Sequence, residues 1–116
     1  MLIQIMKSKI HRAKITQADV NYIGSITIDP VLMNAANIIP GERVQVLNIS
    51  NGERLETYVI EGEKSGEIGI NGPAALKMQV GDIVIIVSYA FLNQDMAKKH
   101  NPTIIFPNET NNSILE

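Results

Sequence analysis

Ile39-Pro40-Gly41-Glu42-Arg43-Val44-Gln45-Val46 and Gln79-Val80-Gly81-Asp82-Ile83-Val84-Ile85-Ile86 repeat one pattern about 40 residues apart, a Gly-acid turn feeding a strand rich in β-branched residues. Each follows a short helical stretch opened by proline. Asp29-Pro30 sets a capping carboxylate before a proline suited to a first helical turn, with the helix running to about Ala36. Gly72-Pro73 opens the second in the same manner, through Leu76 and Lys77. Helix, turn and strand met twice point to an internal pseudo-twofold or to coincidence, and two short matches do not separate the two.

Outward from these passages, the apolar residues come in short β-branched runs rather than stripes of helical period, so the chain reads as many short strands. They fall near Leu2 to Ile15, Tyr22 to Ile28, Arg43 to Ile49, Arg54 to Glu61, Glu67 to Ile70, Ile83 to Ala90 and Thr103 to Phe106. Ile3 and Ile5 occupy odd positions and Ile10 an even one, which points to a bulge or bend between them. Asn51-Gly52 joins two runs as a hairpin turn, since both residues tolerate the positive φ of tight primed turns. A last short helix is expected from Asn93 to Lys99, with Lys98 and Lys99 at the negative end of its dipole. The expected domain is one mainly β unit over residues 1–106. The polar stretch 107–116 reads as a frayed tail without a function.

At 116 residues the chain is large enough for one core and too short for two. It has no cysteine, so neither disulfides nor thiolate metal sites hold it. A net charge of −2 disfavours nucleic acid as a partner, because phosphate binding draws on a basic stripe. Met1 to Lys7 lacks the apolar core of a signal peptide, and no stretch reaches the roughly 20 apolar residues of a membrane span. A cytoplasmic protein with no membrane partner is expected. His11 and His100 are the two histidines, and there is no HExxH or calcium-loop spacing, so no metal site is expected.

Strand alternation places Lys9, His11 and Ala13 on one face if the strand stays regular past Ser8. That face is a solvated basic edge with Lys7, Arg12 and Lys14, or a cationic wall for an anionic substrate. Arg54, Glu56 and Tyr58 share a face, with Thr57 opposite. Arg54 offers a planar fork that fits a carboxylate, and Tyr58 a phenolic proton. Equally, Arg54 suits a cross-strand acid such as Glu42 or Glu56, and Tyr58 a half-buried strand aromatic. Asn71-Gly72-Pro73-Ala74-Ala75 is an ordinary capped turn, or a corner whose free N–H groups favour an anion or carbonyl oxygen. Gly24-Ser25, within Tyr22-Ile23-Gly24-Ser25-Ile26-Thr27-Ile28-Asp29, is a common turn dipeptide and also a bond that a chain can convert into a catalytic carbonyl.

Taken together, Lys7-Ser8-Lys9-Ile10-His11-Arg12-Ala13, Tyr22-Ile23-Gly24-Ser25 with Asp29, Asn51-Gly52-Glu53-Arg54 leading to Thr57-Tyr58, Asn71-Gly72-Pro73-Ala74-Ala75 and Val80 to Ile86 resemble the bacterial aspartate 1-decarboxylases, which depend on a pyruvoyl group. The resemblance covers residues 1 to about 106 in the family's order and spacing. One departure is Leu47, where some members carry a bulky aromatic. The resemblance implies a double-psi β-barrel with short helices, assembled as a homotetramer with active sites between subunits.

It also implies self-processing. Gly24, free of a Cβ, takes up a strained conformation and exposes its carbonyl to the Ser25 hydroxyl. Thr57 stabilises the oxyanion that develops, and the chain parts between Gly24 and Ser25. Ser25 then becomes a covalent pyruvoyl cofactor, which condenses with the amine of L-aspartate and withdraws electrons as CO2 leaves. By the same resemblance Arg54, with Lys9, holds the retained carboxylate, and Tyr58 supplies the proton that completes β-alanine, a precursor of pantothenate and coenzyme A. Thr57, Asn71, Gly72, Pro73 and Ala74 belong to the substrate pocket, His11 and Tyr22 to its neighbourhood, and a maturation factor is an optional partner. The alternative is a non-catalytic small β-barrel, a binding or DNA-associated regulatory module. Such a protein would keep an intact chain and a basic face.

Overall fold

Both Gly-acid turns are built alike. Gly41 (φ 87°) and Gly81 (φ 94°) take the left-handed region that a side chain resists. The Gly41 N–H donates to the Val59 carbonyl (2.8 Å) and the Val59 N–H donates back to the Glu42 carbonyl (3.0 Å). In the second turn the Gly81 N–H donates to the Ile15 carbonyl (2.8 Å) and the Ile15 N–H to the Asp82 carbonyl (2.9 Å). The Glu42 carboxylate accepts the Ile39 N–H (3.2 Å), and that of Asp82 accepts the Gln79 N–H (2.9 Å). This matched bonding makes the pseudo-twofold a property of the fold rather than a coincidence of letters.

The computed structural model describes residues 1–114. In chain order it contains β1 (Leu2–Lys14), β2 (Gln17–Asp19), β3 (Ser25–Ile28), α1 (Pro30–Ala36), β4 (Arg43–Asn48), β5 (Arg54–Glu61), β6 (Ile68–Asn71), a 3-10 turn (Gly72–Leu76), β7 (Ile83–Asn93), α2 (Gln94–Lys99) and β8 (Thr103–Ile105). The strands form one sheet in the order β2-β6-β3-β5-β4-β7-β1-β8. Only residues 15 and 16 separate β1, seventh in that order, from β2, which is first. The sheet must therefore curl round on itself, and the Thr16 N–H donating to the Ile68 carbonyl (2.8 Å) fastens the closure. The result is the expected mainly β fold with short helices. Its interior holds Ile10, Ile26, Ile28, Val44, Val46, Val59, Ile68, Ile70, Val84 and Ile86, each at most 1% exposed. α1 contributes Leu32, Met33 and Ala36 to the same core.

The expected bulge lies between Met6 and Ser8, and a second falls between His11 and Ala13, where Arg12 takes φ 70°. That second bulge turns Ala13 into the core and away from the face of Lys9 and His11. In the β4–β5 hairpin only Gly52 adopts positive φ (78°); Asn51 instead accepts the Glu53 N–H on its side chain (2.9 Å). β3 starts at Ser25 rather than Tyr22, because Asp19 accepts the Asn21 N–H (2.9 Å) and holds the preceding residues in a turn. The three-residue β2 carries too little pattern to be read in advance.

The frayed tail is corrected over residues 107–114. Asn112 is 1% exposed and behaves as a strand edge in miniature. Its Oδ1 accepts the Lys14 N–H (2.7 Å), and its Nδ2 donates to the carbonyls of Lys14 (2.8 Å) and Gly66 (2.7 Å). Arg12 pairs with Glu109, and Ile114 packs on the core. Polar composition did not distinguish a docked turn from a loose one. The expectation for positions 115 and 116 lies outside the described residues. No helix among the described residues is long and apolar enough to cross a membrane.

Candidate active site

β3 lies between β6 and β5, antiparallel to the first and parallel to the second. The β6 ladder sets Asn71 opposite Ser25, and the β5 ladder sets Val59 beside Ile26, so Tyr58 lies next to the start of β3. Ser25 is 2% exposed with φ 120°, a region that side chains rarely occupy and that costs about 1–3 kcal/mol. Gly24 has no positive φ, so the expected strain sits one residue later, on the serine. The rotation affected adjoins the Gly24-Ser25 peptide bond itself.

Polar groups converge on this bond. The Tyr58 hydroxyl donates to the Gly24 carbonyl oxygen (3.2 Å). Asn71 Nδ2 donates to Ser25 Oγ (3.1 Å) and to Thr27 Oγ1 (2.9 Å). Thr57, expected to hold the Gly24 carbonyl, makes no hydrogen bond to it here, although it borders the same cavity; the hydrogen bond comes from Tyr58. Gly72 explains how the corner approaches so closely. A Cβ there would lie 2.9 Å from Gly24 Cα and 3.1 Å from Gly24 N, so any larger residue would push the bond away.

Gly24, Ser25, Thr57, Asn71, Pro73 and Ala74 all line one cavity of about 320 Å³. Six of the expected site residues are thus brought together, with Gly72 packed behind them. Leu55, Glu56 and Lys77 also border the cavity and were not singled out from the sequence in that role. Thr27 was missed as well, although period-2 alternation puts it on the face of Ser25. Tyr22 and Thr27 line an adjoining hollow of about 260 Å³, and Asn71 borders both.

The basic residues expected at the site stand apart. Arg54 donates to Gln45 Oε1 (3.0 Å) and lines a different hollow with Leu47, its cross-strand partner. The acid Glu56 is paired with Arg43, and Glu42 with Lys7, so neither expected partner of Arg54 is used. Lys9 is half-buried on β1, between Val87 and Ile104 of the neighbouring strands. His11 meets the Phe106 ring edge-on, with centroids 5.5 Å apart, and its buried Nδ1 has no hydrogen-bond partner. Burial, then the charges of Lys9 and Arg12, lowers its pKa below 6.5, against an opposing pull from Glu109. None of the three borders the cavity at Ser25. No group of three or more His, Asp or Glu among the described residues is placed to hold a metal ion.

The family model for aspartate decarboxylase matches residues 1–114. Aspartate 1-decarboxylase of Cytophaga hutchinsonii is 59% identical over 115 residues, covering 98% of this chain and 100% of its own. The protein of that name from Flavobacterium psychrophilum is also 59% identical, with 98% and 99% covered. That from Bacteroides thetaiotaomicron is 54% identical over 117 residues, with both chains covered in full. Matched over almost its whole length by the family model and by these relatives, the chain belongs to the aspartate decarboxylase family.

Proposed function

We propose that the chain is a proenzyme that cuts itself between Gly24 and Ser25 and then converts L-aspartate to β-alanine and CO2. The observation that carries the reading is Ser25 itself, buried at φ 120° with Asn71 on its hydroxyl while Tyr58 holds the carbonyl it would attack. The Ser25 Oγ–C bond to Gly24 forms as the Gly24–Ser25 C–N bond breaks, and the hydroxyl proton passes to the freed nitrogen. The Tyr58 hydroxyl stabilises the oxyanion of this step. Loss of the Ser25 Cα proton with cleavage of the Cβ–O bond leaves Gly24 as a carboxylate and residue 25 as dehydroalanine. Addition of water and departure of ammonia complete a pyruvoyl group at the new N-terminus.

The site fits such a group made in place, because Ser25 faces a cavity and Gly72 leaves room where a Cβ would intrude. When formed, the pyruvoyl supplies a carbonyl that condenses with an amine and draws electrons from the departing carboxylate. Departure of Gly24 frees the Tyr58 hydroxyl, which then delivers the proton that replaces CO2. Lys9 and Arg54 would hold the retained carboxylate. Both lie outside this cavity, which fits a site completed by a neighbouring copy; the homotetramer, the cytoplasmic setting and the supply of β-alanine to pantothenate synthesis are what the family resemblance adds to this reading. An assay of the purified protein for β-alanine and CO2 from L-aspartate tests the reading. Activity is expected in the wild type and none in Ser25→Ala; equal activity in both would refute it. Arg54→Ala should raise KM for aspartate at least tenfold, given about 1.5–3 kcal/mol for a charged hydrogen bond.

A further inference from the structure

We infer that Thr27 is a positioning residue for self-cleavage, anchoring the Asn71 amide so that it meets Ser25 Oγ. The inference rests on the self-processing reading above. An amide nitrogen carries two hydrogens, and in Asn71 they go to Ser25 Oγ (3.1 Å) and Thr27 Oγ1 (2.9 Å). With the first bond alone, the amide could still turn about its Cβ–Cγ bond, which has broad torsional freedom. The second bond ties the same nitrogen to a neighbouring strand position and removes that freedom.

Thr27 is itself held firmly. Its branched side chain is stiff at χ1, and it packs against two backbone positions that carry no Cβ, Gly69 in β6 and Gly62 just past β5. A Cβ on Gly62 would lie 3.0 Å from Thr27 Cγ2, and one on Gly69 would lie 3.3 Å from Thr27 Cβ. The two glycines leave the space that this threonine fills. On its other side Thr27 borders the hollow shared by Tyr22, Gln17 and Asn71, into which an unanchored amide would swing. Attack by Ser25 depends on the orientation of a single hydroxyl, so a small loss of alignment reads out directly as rate.

The test is the time course of cutting of freshly purified full-length chain, followed by intact mass, for wild type, Thr27→Val and Thr27→Ser, with thermal midpoints measured alongside. Valine keeps the shape between the glycines and deletes the acceptor; serine keeps the acceptor and deletes the methyl. Thr27→Val is expected to cut about fivefold more slowly or worse, and Thr27→Ser to stay within about twofold of wild type whatever its midpoint. Cutting of Thr27→Val at the wild-type rate would overturn the inference while leaving the self-processing reading intact. So would a Thr27→Ser variant as slow as the valine one, since packing rather than the hydroxyl would then matter. A wild-type chain that stays whole overturns both.

Discussion

Asp29 and Asn71 each stand just before a short helical turn with a proline at its start, one in each half of the chain, and they use that place differently. Asp29 directs both carboxylate oxygens to backbone, accepting the Val31 N–H (2.9 Å) and the buried Gly66 N–H (2.7 Å). The helix it caps runs seven residues. Asn71 makes no side-chain cap, its turn stays a five-residue 3-10 segment, and its amide reaches across the ladder to Ser25 and Thr27. A duplicated framework thus carries stability at one copy and chemistry at the other. The acid suits the first role because it accepts strongly at a helix start; the amide suits the second because it can donate to two hydroxyls.

That division is open to attack at each end. Asp29→Ala should produce the largest loss of stability, about 2–4 kcal/mol by urea unfolding, from the lost cap together with an unpaired buried N–H. Chains that still fold should cut within about twofold of wild type, and slow cutting with unchanged stability would reverse the roles assigned to the two residues. Asn71→Ala should do the opposite, slowing cutting about tenfold, or about 1.4 kcal/mol of barrier, with a smaller fall in the urea midpoint than Asp29→Ala gives.

The smallest effect concerns Asp82, in the second Gly-acid turn. Hydrogen bonds from Asn48 and then the Gln79 N–H hold its pKa below the ordinary 3.8. The folded chain therefore binds this proton less readily than the unfolded one. The stabilisation is complete above about pH 4 and is lost as pH falls through the lower folded value. Asp82→Asn should be less stable than wild type at neutral pH, with the difference narrowing in acid; a constant difference from pH 6 to pH 2 would contradict the linkage.

Most of the framework was legible because it depends on local chemistry. The Asp29-Pro30 start, the Gly41-Glu42 and Gly81-Asp82 turns and the β5 span from Arg54 to Glu61 each follow from residue type and alternation, and all lie where expected. Features that depend on contacts distant in sequence were harder to read. Asn112 looks like any polar tail residue until it meets Lys14 and Gly66. Alternation puts Thr57 and Tyr58 on opposite faces of β5, yet not which hydroxyl reaches Gly24; that depends on the parallel pairing with β3. Strain at Ser25 rather than Gly24 is likewise a property of the assembled corner, where Gly72 lets two backbones meet.

Intact mass spectrometry of the purified wild-type chain beside Ser25→Ala tests the central claim most directly. The account predicts two wild-type fragments, residues 1–24 and residues 25–116, the larger with a blocked N-terminus and lighter by one ammonia than the plain peptide, and a single uncut Ser25→Ala chain. An intact wild-type chain, or a Ser25→Ala chain cut at the same bond, would contradict it.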